Sequence, residues 1–207
     1  MNLPDQIQTI DEFKESTLVE KKSTFIAQVY PVDSEETAKE ILSEIKKKYF
    51  DASHHCFAYK FADGNFRYSD AGEPSGTAGV RILMAIDHFK LINIIVIVTR
   101  YFGGTKLGVG PLGKAYYNAT HQVLKESKIV KKHLLQKVKI TTGFEHIELV
   151  HRILSNFNSV ILNTQYEIQT KFSCLIRCSE IDIISQKLSK LGKNKIILTT
   201  NKEFVYK

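Results

Sequence analysis

Residues able to do chemistry gather in the first half of this sequence. His54-His55-Cys56 come first, then Asp70 and Glu73 within the polar turn Asp70-Ala71-Gly72-Glu73-Pro74-Ser75-Gly76-Thr77, then Arg100 at the head of a glycine-rich loop that ends at Gly113. Neighbouring residues of a strand point to opposite faces, so His54 and His55 do not readily ligate one ion. Cys56 shares a face with His54 and the two could form a nucleophile pair, but a thiol at a strand position is more often a small core side chain. Asp70 and Glu73 could hold magnesium as paired carboxylates. Their place in a turn, just before Pro74, favours capping of backbone N–H groups. No metal, cofactor or catalytic residue is therefore assigned.

The stretch from Ser69 to Lys114 holds eight of the eleven glycines. Gly108-Val109-Gly110-Pro111-Leu112-Gly113 spells the dinucleotide fingerprint, yet the preceding strand ends near Thr99 and no ribose-binding acid follows, so a nicotinamide site is not expected. A Walker loop is excluded, because no Gly-Lys-Ser/Thr occurs. Anion binding fits better. Gly103, Gly104 and Gly108 expose N–H groups, Arg100, Lys106 and Lys114 bring charge, and a helix starting near Pro111 aims its positive end at the loop. Gly76 and Thr77 offer a second helix start of the same kind, and Tyr101 or Phe102 could stack on bases, with core packing the alternative for Phe102. The competing structural use is a latch in which Arg100 pairs with Glu73 or Asp70, with His54 nearby.

These residues need elements to position them. Residues 13–32 read as a hairpin turning at Lys21-Lys22-Ser23. Ser34 caps a helix whose apolar face is Ala38, Ile41, Leu42, Ile45 and Tyr49. A strand spans His54–Phe61, and a short return strand Phe66–Ser69 follows the turn Asp63-Gly64-Asn65. A helix begins near Ser75 or Thr77, carrying Ala78, Ile82, Ala85, Ile86 and Phe89. Ile94–Val98 is uninterrupted and β-branched, which predicts a strand covered on both faces. Leu112, Ala115, Ala119 and Val123 stripe the helix after the loop. From Leu134 the pattern restarts as strand, helix, two strands, helix and a last strand at Ile196–Thr200, a βαββαβ unit. The expected domains are 1–132 and 133–207.

At 207 residues and 43% hydrophobic, the chain can bury roughly 70% of its unfolded surface. It has no long apolar run and a polar, acidic start, so neither a membrane association nor a signal peptide is expected, and the cytoplasm is the expected compartment. Cys56, Cys174 and Cys178 lack Cys-x-x-Cys spacing and read as reduced thiols. The net charge of +7 is uneven: residues 1–133 carry 18 Lys/Arg against 16 Asp/Glu, the remainder 11 against 6. Such an excess draws RNA or other polyanions, or only keeps a protein soluble. Lys125, Lys128, Lys131 and Lys132 form a compact basic run, which reads as a wet helix end.

The run Asp70-x-Gly72-Glu73-Pro74-x-Gly76-Thr77-Ala78-Gly79-x-x-Ile82-Leu83, continued by Arg100-Tyr101-Phe102-Gly103-Gly104-x-x-Leu107-Gly108, resembles the signature of the Impact/YigZ family. Arg81 stands where that family usually has proline, Pro111 and Gly113 interrupt what is commonly Gly-Gly-Leu-Val, and Lys114 replaces an arginine. The resemblance implies an α+β protein: an N-terminal domain of the ribosomal-protein domain-2-like fold in β-α-β layers, then a ferredoxin-like C-terminal domain. The pair resembles domains four and five of elongation factor G. That likeness implies a role in translation or its regulation, with RNA or the ribosome as partner. The kinase-linked function of eukaryotic relatives, which resides in an added N-terminal module, is not expected. The alternative function is an enzyme acting on a small phosphorylated or nucleotide-like substrate through Asp70, Glu73, His54 and Arg100.

Overall fold

The computed structural model describes residues 3–192 and 195–207, an α+β protein with two antiparallel sheets and five α-helices. Two compact units are present: one of residues 8–131, the other of residues 3–7 and 132–207. None of the described helices is long and apolar enough to cross a membrane.

In the first unit, β2 (Lys14–Glu20), β3 (Ser23–Pro31), β4 (His54–Lys60), β5 (Phe66–Ser69) and β6 (Ile94–Tyr101) form a sheet of order β2-β3-β6-β4-β5; β1 (Gln6–Ile10) precedes them in the chain and belongs to the other sheet. The central strand is β6, and its period of two divides it between two cores. Ile94, Val96 and Val98 pack with α2 (Gly79–His88) and α3 (Val109–Glu126), whereas Ile95 and Ile97 pack with α1 (Glu35–Lys48). Helices on both sides explain why no polar residue interrupts Ile94–Val98. The α1 helix starts where Ser34 Oγ accepts the Thr37 N–H at 3.2 Å, with Glu35 and Glu36 in its first turn and three lysines in its last. That charge order suits the helix dipole.

In the second unit, β7 (Ile129–Thr142), α4 (Ile147–Asn156), β8 (Val160–Tyr166), β9 (Thr170–Arg177), α5 (Ile181–Leu191) and β10 (Ile197–Tyr206) follow in βαββαβ order. The order β10-β7-β9-β8 with every pairing antiparallel is the split arrangement. Val138, Ile140, Phe172, Cys174 and Ile176 meet Val150, Leu154, Ile184 and Leu188 in one core.

Several boundaries differ from those expected. β1 went unforeseen because its five residues mix glutamine and threonine with isoleucine, although Ile7, Thr9 and Ile10 are buried. The basic run is not one helix end: Lys125 closes α3, Lys128 pairs with Asp11, and Lys131 and Lys132 lie within β7. The last strand continues past an irregularity between Thr200 and Phe204.

Truncating the α1-facing side of β6 should be costly. Ile97→Ala is expected to destabilise the first unit by about 2–5 kcal/mol, read as a lower urea midpoint at unchanged slope.

Candidate anion-binding loop and its buried latch

One carboxylate builds the polar turn. Asp70 Oδ1 accepts the Ala78 and Gly79 N–H groups at 2.9 and 2.8 Å, and Oδ2 accepts Gly76 N–H at 2.9 Å. Burial alone would raise the Asp70 pKa, but these three donors outweigh it and hold the group below its ordinary value. Because Asp70 gathers residues 76–79 into the turn, α2 starts at Gly79 rather than at Ser75 or Thr77.

A second carboxylate ties this turn to the glycine loop. Glu73 is 8% exposed and Arg100 5%. Arg100 Nη1 donates to Glu73 Oε1 at 2.7 Å, and the Tyr116 hydroxyl, from the middle of α3, donates to the same oxygen at 2.7 Å. Arg100 Nη2 and the Gly103 N–H both donate to Ser23 Oγ at 3.2 Å. The guanidinium lies over the rings of Phe25 and Phe102, 5.4 and 5.6 Å from their centroids. Phe25, Arg100 and His54 are direct cross-strand partners on β3, β6 and β4, so the sheet itself sets this row. His54 Nδ1 lies 3.0 Å from the Ala71 carbonyl, and its Nε2 lies 3.8 Å from Glu73 Oε2. The Cys56 thiol donates to the Asp70 carbonyl at 3.0 Å and is pushed up to about 12 by burial, so it stays protonated at neutral pH and is no nucleophile there. Burial likewise raises Tyr116, which remains a hydrogen-bond donor to Glu73.

These contacts redistribute the roles read from sequence. Arg100 belongs to the latch, its charge balanced by Glu73. The Gly76 N–H is held by Asp70, the Gly103 N–H by Ser23 and the Thr77 N–H by the Pro74 carbonyl at 3.1 Å, so none of the three is open to an outside anion. The Tyr101 hydroxyl donates to Asp51 at 2.8 Å, leaving Phe102, 49% exposed, as the loop's outward ring. Lys106, Lys114, Gly104 and Gly108 are exposed. Gly108 caps α3 with φ 88°, a left-handed conformation that glycine tolerates, and it supplies no side-chain cap; no acid lies in the first turn. Gly103 is required by proximity: a Cβ there would lie 2.0 Å from the Lys22 carbonyl carbon.

Five contributors were not evident from sequence. Ser23 reads as part of a turn, and nothing in the sequence singles out Tyr116. Lys21 and Lys22, at the turn against Gly103, were read only as a hairpin connection. Arg81, whose Nε would lie 3.2 Å from a Cβ at Gly113, stands beside the first turns of α3. The cross-strand spacing of β3 and β6 is the signal that connects Ser23 to the loop, and it exists only after register is known.

A five-stranded antiparallel sheet with helices on both sides, carrying a glycine loop pinned by a buried acid-arginine pair, defines a domain class. Residues 21–124 match the Impact N-terminal domain. The chain belongs to the IMPACT family. It is 30% identical to the IMPACT family member YvyE of Bacillus subtilis (strain 168) over 90% of this chain and 87% of that protein. Against an IMPACT family member of Haemophilus influenzae the identity is 32%, covering 86% and 88%. A solved crystal structure of a hypothetical protein, 26% identical, superposes with a TM-score of 0.72 over 97% of this chain and all of that one.

Two outcomes follow from the latch. Glu73→Gln leaves the Arg100 charge buried without its counter-ion and is expected to lose about 3–5 kcal/mol of stability in chemical denaturation, most of it recovered when Arg100 is also made apolar. Asp70, with its folded pKa lowered, contributes stability that is complete above the ordinary value of 3.8 and fades as pH falls through the folded value. Urea midpoints taken from about pH 6 down to 2 should show a weaker acid-side decline in Asp70→Asn than in the parent.

Proposed function

We propose that this chain is a non-catalytic cytoplasmic protein of translation or its regulation, and that it binds RNA or a ribosomal surface through the glycine loop and the start of α3. The observation that carries the reading is the α3 N-terminus, capped by glycine alone and accompanied by exposed Lys106 and Lys114. Backbone N–H groups at such an end attract phosphate or another anion, and the helix dipole has the right sign. Arg81, Lys21 and Lys22 add positive charge around the loop. Phe102 supplies an apolar face next to these donors, and a base can stack on it. The latch beneath keeps the loop in one shape, which lowers the ordering cost of binding.

The alternative, an enzyme for a phosphorylated or nucleotide-like substrate, needs titratable groups converging on open space. Here Asp70 is engaged with backbone N–H groups, Glu73 with Arg100 and Tyr116, and His54 with the Ala71 carbonyl. The observations therefore favour binding.

In a filter-binding assay, Lys106→Glu with Lys114→Glu is expected to weaken RNA retention about tenfold or more and to reduce the log-log salt slope by about 0.7 for each phosphate no longer neutralised. Unchanged, salt-insensitive retention would overturn the loop as the RNA-binding surface.

A further inference from the structure

The helix-free face of the second sheet carries a separate chemistry. Alternation along β7 and β9 sends Val138, Ile140, Phe172 and Cys174 into the core with α4 and α5. It therefore places Lys137, Lys139, Lys171 and Ser173 on the other face. Lys139 stands opposite Ser173 on β9 and Thr199 on β10, and Lys171 stands opposite Gln165 on β8. With Asn163, these side chains line an open cleft of about 480 Å³.

The charges are set close together. Lys137 and Lys139 are two positions apart on one strand, about 6.7 Å, and Lys171 is the diagonal neighbour of Lys139 at about 7–8 Å. Two of the three have acidic partners: Lys137 pairs with Glu203 at 2.8 Å and Lys171 pairs with Glu167. Among the described residues Lys139, at the centre, makes no ion pair at contact distance, although its charge also acts on Glu167. Glu203 and Glu167 offset part of the repulsion between these like charges, and phosphates bound at the cleft would take their place. One small anion cannot serve all three, whereas a chain of phosphates presents a charge to each. Between the lysines lie hydroxyl and amide groups, suited to sugar hydroxyls. Phe172, the one aromatic residue at the cleft, is fully buried in the core and offers no ring on which a base could stack.

We propose that this face binds the sugar-phosphate backbone of single-stranded RNA, with Lys139 as its central phosphate contact and Ser173, Thr199 and Asn163 facing the ribose. The proposal rests on the reading of the chain as an RNA-binding protein and adds a second binding surface to it. The test uses the full chain and fluorescence anisotropy with a labelled single-stranded RNA of mixed sequence, and with DNA of the same sequence, across a salt series. Lys139→Gln is expected to weaken RNA binding about fivefold and to lower the salt slope by about 0.7, the value for one single-strand phosphate. Glu167→Gln with Glu203→Gln frees two lysines and is expected to tighten binding about threefold or more. If the Lys106 and Lys114 variants weaken binding while both of these changes leave affinity and slope unaltered, the sheet face is overturned and the loop stands. If the unmodified chain binds no RNA, both fall. DNA bound as tightly as RNA overturns the ribose contacts and with them the assignment to RNA.

Discussion

The first unit is organised around an ion pair in a place where ions are expensive. Glu73 and Arg100 meet at 2.7 Å with both side chains almost wholly out of water. Removing two charges from solvent costs several kcal/mol each in real proteins, and attraction repays it only when geometry is good and the remaining valences are satisfied. Tyr116 and Ser23 supply additional bonds, from a helix and from a strand end respectively, while the buried Arg100 Nε has no hydrogen-bond partner among the described residues. Four separate elements thus converge on one pair, and the pair is stable only when all are in place. Such a contact contributes less to net stability than to uniqueness: it specifies how a turn, a hairpin end, a central strand and a helix must meet.

Function follows from what this convergence leaves over. Glu73 and Arg100 are engaged with one another, so the positive charge that faces solvent around the loop belongs to the lysines and Arg81. A polar site whose titratable groups are mutually neutralised is poorly suited to moving protons and well suited to holding a shape. The glycine loop is seated on the hairpin, its Gly103 against the Lys22–Ser23 backbone too closely for any side chain.

Much of the architecture was legible in residue patterns. The uninterrupted β-branched run of β6 announced burial on both faces, and Ser34 with its trailing acids announced α1. The strand-helix alternation after residue 134 gave the second unit's order. Asp70 as a backbone cap was readable from its place in a turn, whereas Arg100 reads in sequence first as a charge for an anion, with the pair to Glu73 or Asp70 only as the competing use. What stayed hidden depended on register. Nothing local in Ser23 or Tyr116 marks them as ligands of the pair, since each meets it across a separation of 43 residues or more. The same holds for Gly76, whose amide looks open in sequence and is closed by the Asp70 carboxylate folding back over the turn.

Two lysines make the turn between β2 and β3. Lys21 and Lys22 have φ of 45° and 67°, the left-handed pattern of a two-residue hairpin connection that Asn-Gly adopts with least strain. Two long, β-carbon-bearing cations are among the poorer occupants of that backbone. The chain therefore holds local conformational tension at the spot nearest its glycine loop, and a sequence optimised only for folding would have placed neutral, small residues there.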